Sequence, residues 1–232
     1  MININTEFKE FKEFMFLEEA VDFGAKYFGD WLKEFQAKGK LSRVYELSDF
    51  EYGMIKEEKG QEHAERIKYE CLIYKDFSYY CGGNYGLAIN ELCRYGYSSY
   101  LFKTETLESM IQTMDSEINK YEVKENIVAY RTFSYSDLLR SQEKEKINRG
   151  DIIVEQGFMG VGLVKEKLLE EHKYDTIMKV FVPVGCHAIY LDLISRRVNE
   201  QELLFKRGTK LKVIFNKKTF FGNERNMICV IL

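Results

Sequence analysis

Apolar residues recur every three or four positions through the first half of the chain, then gather into short runs in the second. The first pattern is that of one helix face and the second that of strands. Thr6 can cap a helix carrying Phe8, Phe11 and Met15 on one side. Asp22 to Phe35 places Ala25, Phe28, Trp31, Leu32 and Phe35 near one stripe. Ser42 to Ile55 and His63 to Tyr74 read as two more helices, separated by Glu57-Glu58-Lys59-Gly60. The clearest helix is Thr106 to Tyr121, with Leu107, Ile111, Met114 and Ile118 in register. After Lys124 the periods shorten. The predicted strands are Ile127–Arg131, Ile152–Glu155, Thr176–Val182, His187–Leu191, Glu202–Phe205, Leu211–Phe215 and Met227–Ile231, with a helix from Tyr135 to Ile147 between the first two.

Helices first and strands later predict an α+β fold, an N-terminal helical lobe packed on a mixed, mainly antiparallel two-sheet β core. We expect a single domain over 1–232, divided into a helical lobe (1–124) and a β-rich core (125–232). Composition fits this: 45% hydrophobic and 31% charged residues are ordinary for a globular chain, and 15% aromatics supply a core. A net charge of −3 gives no electrostatic support to a nucleic-acid partner. No apolar run approaches the roughly 20 residues of a membrane span. The N-terminus does not resemble a signal peptide, so the expected setting is cytoplasmic, or delivery into a host cell by a non-classical route. Five cysteines without a close pair read as free thiols, and His63, His172 and His187 are too scattered for a metal site.

Candidate chemistry centres on Glu200-Gln201-Glu202, which opens an apolar run. In a strand, residues i and i+2 point to the same side, so Glu200 and Glu202 would project together. Paired carboxylates at a strand mouth suit cationic or oxocarbenium-like species. On the spacing alone, two solvated strand-edge residues are the favoured reading.

Several separated segments change that balance. Val128-Ala129-Tyr130-Arg131-Thr132, Gly157-Phe158-Met159-Gly160-Val161-Gly162-Leu163-Val164 and the block from Glu200 to Val213, with its Arg207-Gly208-Thr209-Lys210 tail, occur in that order. Upstream stands Tyr80-Cys81-Gly82-Gly83-Asn84-Tyr85, followed by Ala88-Ile89-Asn90. Together they resemble the catalytic domain of the bacterial mono-ADP-ribosyltransferase toxins, the iota-toxin-like and Rho-modifying exoenzyme group. That family carries an Arg, a Ser-Thr-Ser block and a Glu-x-Glu or Gln-x-Glu in the same order. The likeness runs over roughly residues 20–232. The departures are specific: Gly160-Val161-Gly162 replaces Ser-Thr-Ser, Lys179 stands where an Arg is frequent, and Ser195-Arg196-Arg197-Val198-Asn199 lacks an aromatic.

The resemblance implies an NAD-dependent mono-ADP-ribosyltransferase that releases nicotinamide, with NAD as substrate and no metal. Glu202 would stabilise the ribose cation and Glu200 would orient the acceptor. A Glu at the first position implies an exposed arginine on a protein acceptor, actin-like or other. Arg131 would clamp the NAD diphosphate, with Lys179 nearby. Gly160, Tyr80, Tyr85 and Asn90 would line the cofactor cleft. Outside that resemblance Arg131 is a strand-end arginine in an ion pair, Lys179 a solvated residue, and the two tyrosines core aromatics. A serine at 160 would brace Glu202 through a hydrogen bond worth about 1.5–3 kcal/mol, so its loss implies a roughly 10- to 150-fold slower enzyme. Two other functions fit the same residues: a weak or inactive relative that serves as a protein-binding module, and an NAD glycohydrolase.

Overall fold

The computed structural model describes residues 10–39, 48–82, 84–171, 174–191, 201–219 and 224–232. Among the described residues, five helices precede the first strand: α1 (Leu17–Gly39), α2 (Asp49–Lys59), α3 (Gln61–Gly82), α4 (Asn84–Tyr95) and α5 (Thr104–Ile118). Then follow β1 (Ile127–Phe133), α6 (Tyr135–Ser141), β2 (Ile152–Glu155), β3 (Met159–Gly162), α7 (Lys165–Glu171), β4 (Thr176–Val182), β5 (Ala188–Tyr190), β6 (Glu202–Phe205), β7 (Thr209–Lys218) and β8 (Arg225–Ile231). The α+β fold is as the sequence predicts.

Among the described residues, eight strands form one continuous ladder in the order β2-β7-β8-β4-β1-β3-β6-β5, antiparallel except for β4 beside β8. Its two parts meet at one register pair, Tyr130 with Gly162. On one side stand five strands ending in β1, on the other β3, β6 and β5. Strand β7 shows why these residues make a sheet. Thr209, Leu211 and Val213 are buried while Lys210 and Lys212 between them are exposed, the period of two. Helix α5 shows the other period, burying Leu107, Ile111, Met114 and Ile118 as predicted.

Local chemistry moved several boundaries. The expected N-terminal helix over Phe8–Met15 is not formed in its described part. Lys12 lies beside β1 instead: its N–H donates to the Asn126 carbonyl at 2.9 Å and its carbonyl accepts from Val128 N–H at 2.8 Å. Burial of Phe14 in the core and an edge-to-face contact of Phe11 with Phe181 favour the extended path. Helix α1 then starts at Leu17, where the Glu19 carboxylate accepts from the N–H groups of Met15 and Phe16. Its buried stripe is Ala20, Phe23 and Phe28, while Ala25 is exposed. The side chains of Trp31, Leu32 and Phe35 lie outside the described residues. Helix α2 begins at Asp49, because Ser48 and Glu51 form a reciprocal capping box; residues 42–47 of the expected helix lie outside the described residues. Helix α6 stops at Ser141, before the left-handed backbone of Glu143. The Gln142 side chain then pairs with both the N–H and the carbonyl of Val154, like an extra strand on the edge of β2.

One buried group carries a cost. Asp76 on α3 is 1% exposed, and its Oδ1 has no hydrogen-bond partner among the described residues. Burial raises its pKa above the usual carboxylate value, against the opposing pull of Thr113 and the Lys75 charge. A carboxyl raised in the folded state binds its proton more tightly there than in the unfolded chain. Its penalty is therefore absent at low pH and grows as pH rises through the folded pKa. Asp76→Asn should accordingly raise the melting temperature at pH 7 and leave it little changed near pH 4. A calorimetric scan at both pH values checks this, and an equal shift at both would exclude the linkage.

Candidate active site

A cleft of about 720 Å3 lies between the helical lobe and the sheet. Helix α4 supplies one wall. At 3.6 residues per turn, Gly86, Leu87, Asn90 and Arg94 share a face, and all four line the cleft. Tyr85 falls on the opposite side of the same helix. Its ring stacks on Phe102 at 4.0 Å and on Tyr79 at 5.2 Å, away from the cleft lining.

The cleft is charged at one place by three side chains from three elements. Arg94 of α4 holds Glu155 at the end of β2 with two bonds, Nε to Oε1 at 2.8 Å and Nη2 to Oε2 at 3.0 Å. Arg131 of β1 reaches the same carboxylate, Nη1 to Oε2 at 2.9 Å. The Gly157 N–H adds a fourth contact at 2.9 Å. Burial pushes the Glu155 carboxyl up, but Arg131 and Arg94 overcome it and hold the group below its ordinary value. Two guanidiniums against one carboxylate leave one positive charge over, on forks suited to phosphate oxygens. Sequence reasoning named Arg131 and missed Arg94 and Glu155. The available signal was Arg94 one helical turn after Asn90, and a Glu ending a predicted strand two residues before Gly157.

Asn90 ties the two walls together. Its Oδ1 accepts the Phe158 N–H at 2.8 Å, and its Nδ2 donates to the Tyr80 hydroxyl at 3.0 Å. The Tyr80 ring packs edge-on against Phe158. Burial, and then the negative charge of Glu202, push the Tyr80 phenol well above its usual pKa, so it stays protonated.

Glu202 opens β6 and lines the same cleft, its carboxylate lying over Gly160 of β3. The residue before it is not strand. Gln201 has φ 49, is 1% exposed, and its side-chain oxygen accepts a hydrogen bond from the Tyr190 hydroxyl. A left-handed residue interrupts the alternation of sides, so the strand rule used to pair Glu200 with Glu202 does not extend across Gln201. Glu200 itself lies outside the described residues. The tail of the motif is structural here. Gly208, at φ 77, turns the chain from β6 to β7 and donates its N–H to the Glu155 carbonyl at 2.7 Å. Arg207 pairs with Asp115 of α5.

Lys179 is not where the sequence reading put it. Strand β4 pairs Met178 with Arg131 and Lys179 with Tyr130. Met178 and Arg131 line the cleft, so alternation turns Lys179 to the other face of the sheet. There its ammonium bonds Glu13 at 2.7 Å and lies over the rings of Tyr130 and Phe181.

A helical lobe against a divided mixed sheet, with the cleft between them, is the fold of bacterial ADP-ribosylating toxins. Plx2a, an ADP-ribosyltransferase toxin from Paenibacillus larvae, superposes at a TM-score of 0.64 with 17% identity, over 95% of this chain and 98% of that one. The Clostridium limosum C3 exoenzyme does so at 0.64 with 18% identity, over 96% and 97%. BECa, an ADP-ribosylating toxin of a C. perfringens binary enterotoxin, matches at 0.64 with 17% identity, over 95% of this chain and 50% of its own. No curated protein matches this chain by sequence. A model of the ADP-ribosyltransferase exoenzyme family matches residues 23–229, and the chain belongs to that family.

Proposed function

We propose that this ADP-ribosyltransferase cleaves NAD and transfers ADP-ribose to an arginine of a target protein. The observation that carries the reading is the Arg94–Glu155–Arg131 triad in a cleft that also holds Glu202. The uncompensated positive charge of the triad fits the NAD diphosphate. Glu202 then faces the ribose, where cleavage of the nicotinamide bond develops positive charge, and stabilises it electrostatically. Nicotinamide departs with the bonding electrons. The arginine nucleophile attacks the ribose carbon and loses a proton, which Glu200 accepts. Asn90 and Tyr80 shape the wall between the two sites, and Gly160 lies under the carboxylate.

The acceptor assignment rests on Glu200. With labelled NAD and agmatine, a small guanidine, the wild type is expected to transfer ADP-ribose. Glu200→Gln is expected to lose transfer while keeping most NAD hydrolysis. Equal loss of both activities would contradict the division of roles. Label incorporated without any guanidine or arginine acceptor would move the assignment to another side chain.

A further inference from the structure

Gly160-Val161-Gly162 runs along β3 beneath Glu202, and the geometry gives the first glycine a use. The Glu202 carboxylate rests directly on the Gly160 backbone. A Cβ at 160 would stand 2.1 Å from Glu202 Oε1 and 3.2 Å from the carboxyl carbon. The carboxylate therefore fills the space any side chain at 160 would take. The strands hold this arrangement from both sides. Gly160 pairs with Leu204, and Gly162 pairs with Glu202 on one side and with Tyr130, at the single β1–β3 pair, on the other. Neither strand can withdraw to make room without loosening the joint of the sheet. The outer end of the Glu202 side chain is the part that a Cβ at 160 would meet first.

We propose that Gly160 is a positioning residue whose missing Cβ is the seat of the Glu202 carboxylate. The depth of the carboxylate in the cleft is set by contact with bare backbone, where a serine would set it through a hydrogen bond. This inference rests on the reading of Glu202 as the ribose-facing group. It reverses the simple expectation from the sequence that restoring a serine restores rate. A methyl at 160 forces Oε1 outward by roughly 1 Å, a displacement that can cost about 100-fold in rate.

Nicotinamide release measured by chromatography should place kcat in the order wild type, Gly160→Ser, Gly160→Ala, with alanine roughly 10- to 100-fold down. Serine recovers part of the loss because its hydroxyl can bond the displaced carboxylate. KM for NAD should stay within about twofold, since Arg94 and Arg131 are untouched, and a retained KM also reports an intact fold. In the Glu202→Asp background, whose shorter arm does not reach the seat, Gly160→Ala should cost less than in the wild type. An alanine variant as fast as wild type, a serine variant faster than it, or an alanine penalty undiminished in the Glu202→Asp background overturns the proposal. Crystal structures of wild type and Gly160→Ala read the seat without turnover. A wild-type carboxylate lying away from Gly160 overturns it too. A wild type that cleaves no NAD, with the carboxylate on Gly160, overturns the enzymatic reading and leaves the seat standing.

Discussion

Glu202→Ala is expected to reduce nicotinamide release by roughly 100- to 1000-fold, the usual cost of removing one preorganised group that stabilises developing charge. The loss should fall on kcat. On the proposed reading the triad grips the diphosphate, so KM for NAD should change little, and an effect confined to kcat marks an interaction made in the transition state. Folding should survive, because Glu202 is half-buried at the first position of β6 and its main chain stays bonded, its carbonyl accepting from Leu191 N–H at 2.8 Å. Chromatography of released nicotinamide with purified wild type and variant decides the matter. Equal, slow release from both would sink the assignment of Glu202, and with it the enzymatic reading of the cleft.

Strands β1, β5 and β6 were legible as short, nearly continuous apolar runs that the fold buries, while β7 and β8 bury every second residue, as in Thr209, Leu211 and Val213 of β7. Helix α5 was legible for the matching reason, a long uninterrupted apolar stripe. What escaped the sequence was set by partners far along the chain. Strand β3 carries two glycines in four residues and has little strand character of its own; it exists because β6 pairs along its length. The segment at Phe11–Met15 has helix-like spacing, yet Asn126 and Val128 draw it alongside β1. The same distinction runs through the site. Order and type of residue marked Glu202 and Arg131. Orientation decided Tyr85 and Lys179, and one residue of offset on a helix or strand carried each to the face away from the cleft. The strand argument for Glu200 and Glu202 failed at Gln201, because nothing in a lone Gln announces a left-handed backbone. Arg94 and Glu155 stayed hidden because 61 residues separate them and only the fold brings them together across the cleft.

That hidden pair carries the second large expectation. Glu155→Ala leaves two guanidiniums side by side, partly buried, with no carboxylate between them. Breaking a buried ion pair by removing one partner costs about 3–5 kcal/mol. In a chain of this size the melting temperature should fall by something of the order of 10 °C. The pH dependence follows from the direction of the shift. Glu155 is held below its ordinary value of 4.5 when folded. Its stabilisation is therefore fully present above that value and is lost as pH falls through the folded pKa. The gap between wild type and Glu155→Ala should be constant from neutral pH down to about pH 5 and close only in stronger acid. Two freed guanidiniums should also bind an added dianion. Inorganic pyrophosphate should restore more melting temperature to the variant than it adds to the wild type, by the linkage between binding and stability. A variant melting within about 2 °C of wild type at pH 7, or one that pyrophosphate leaves unmoved, would show that the triad neither holds α4 to β2 nor presents its charge to the cleft.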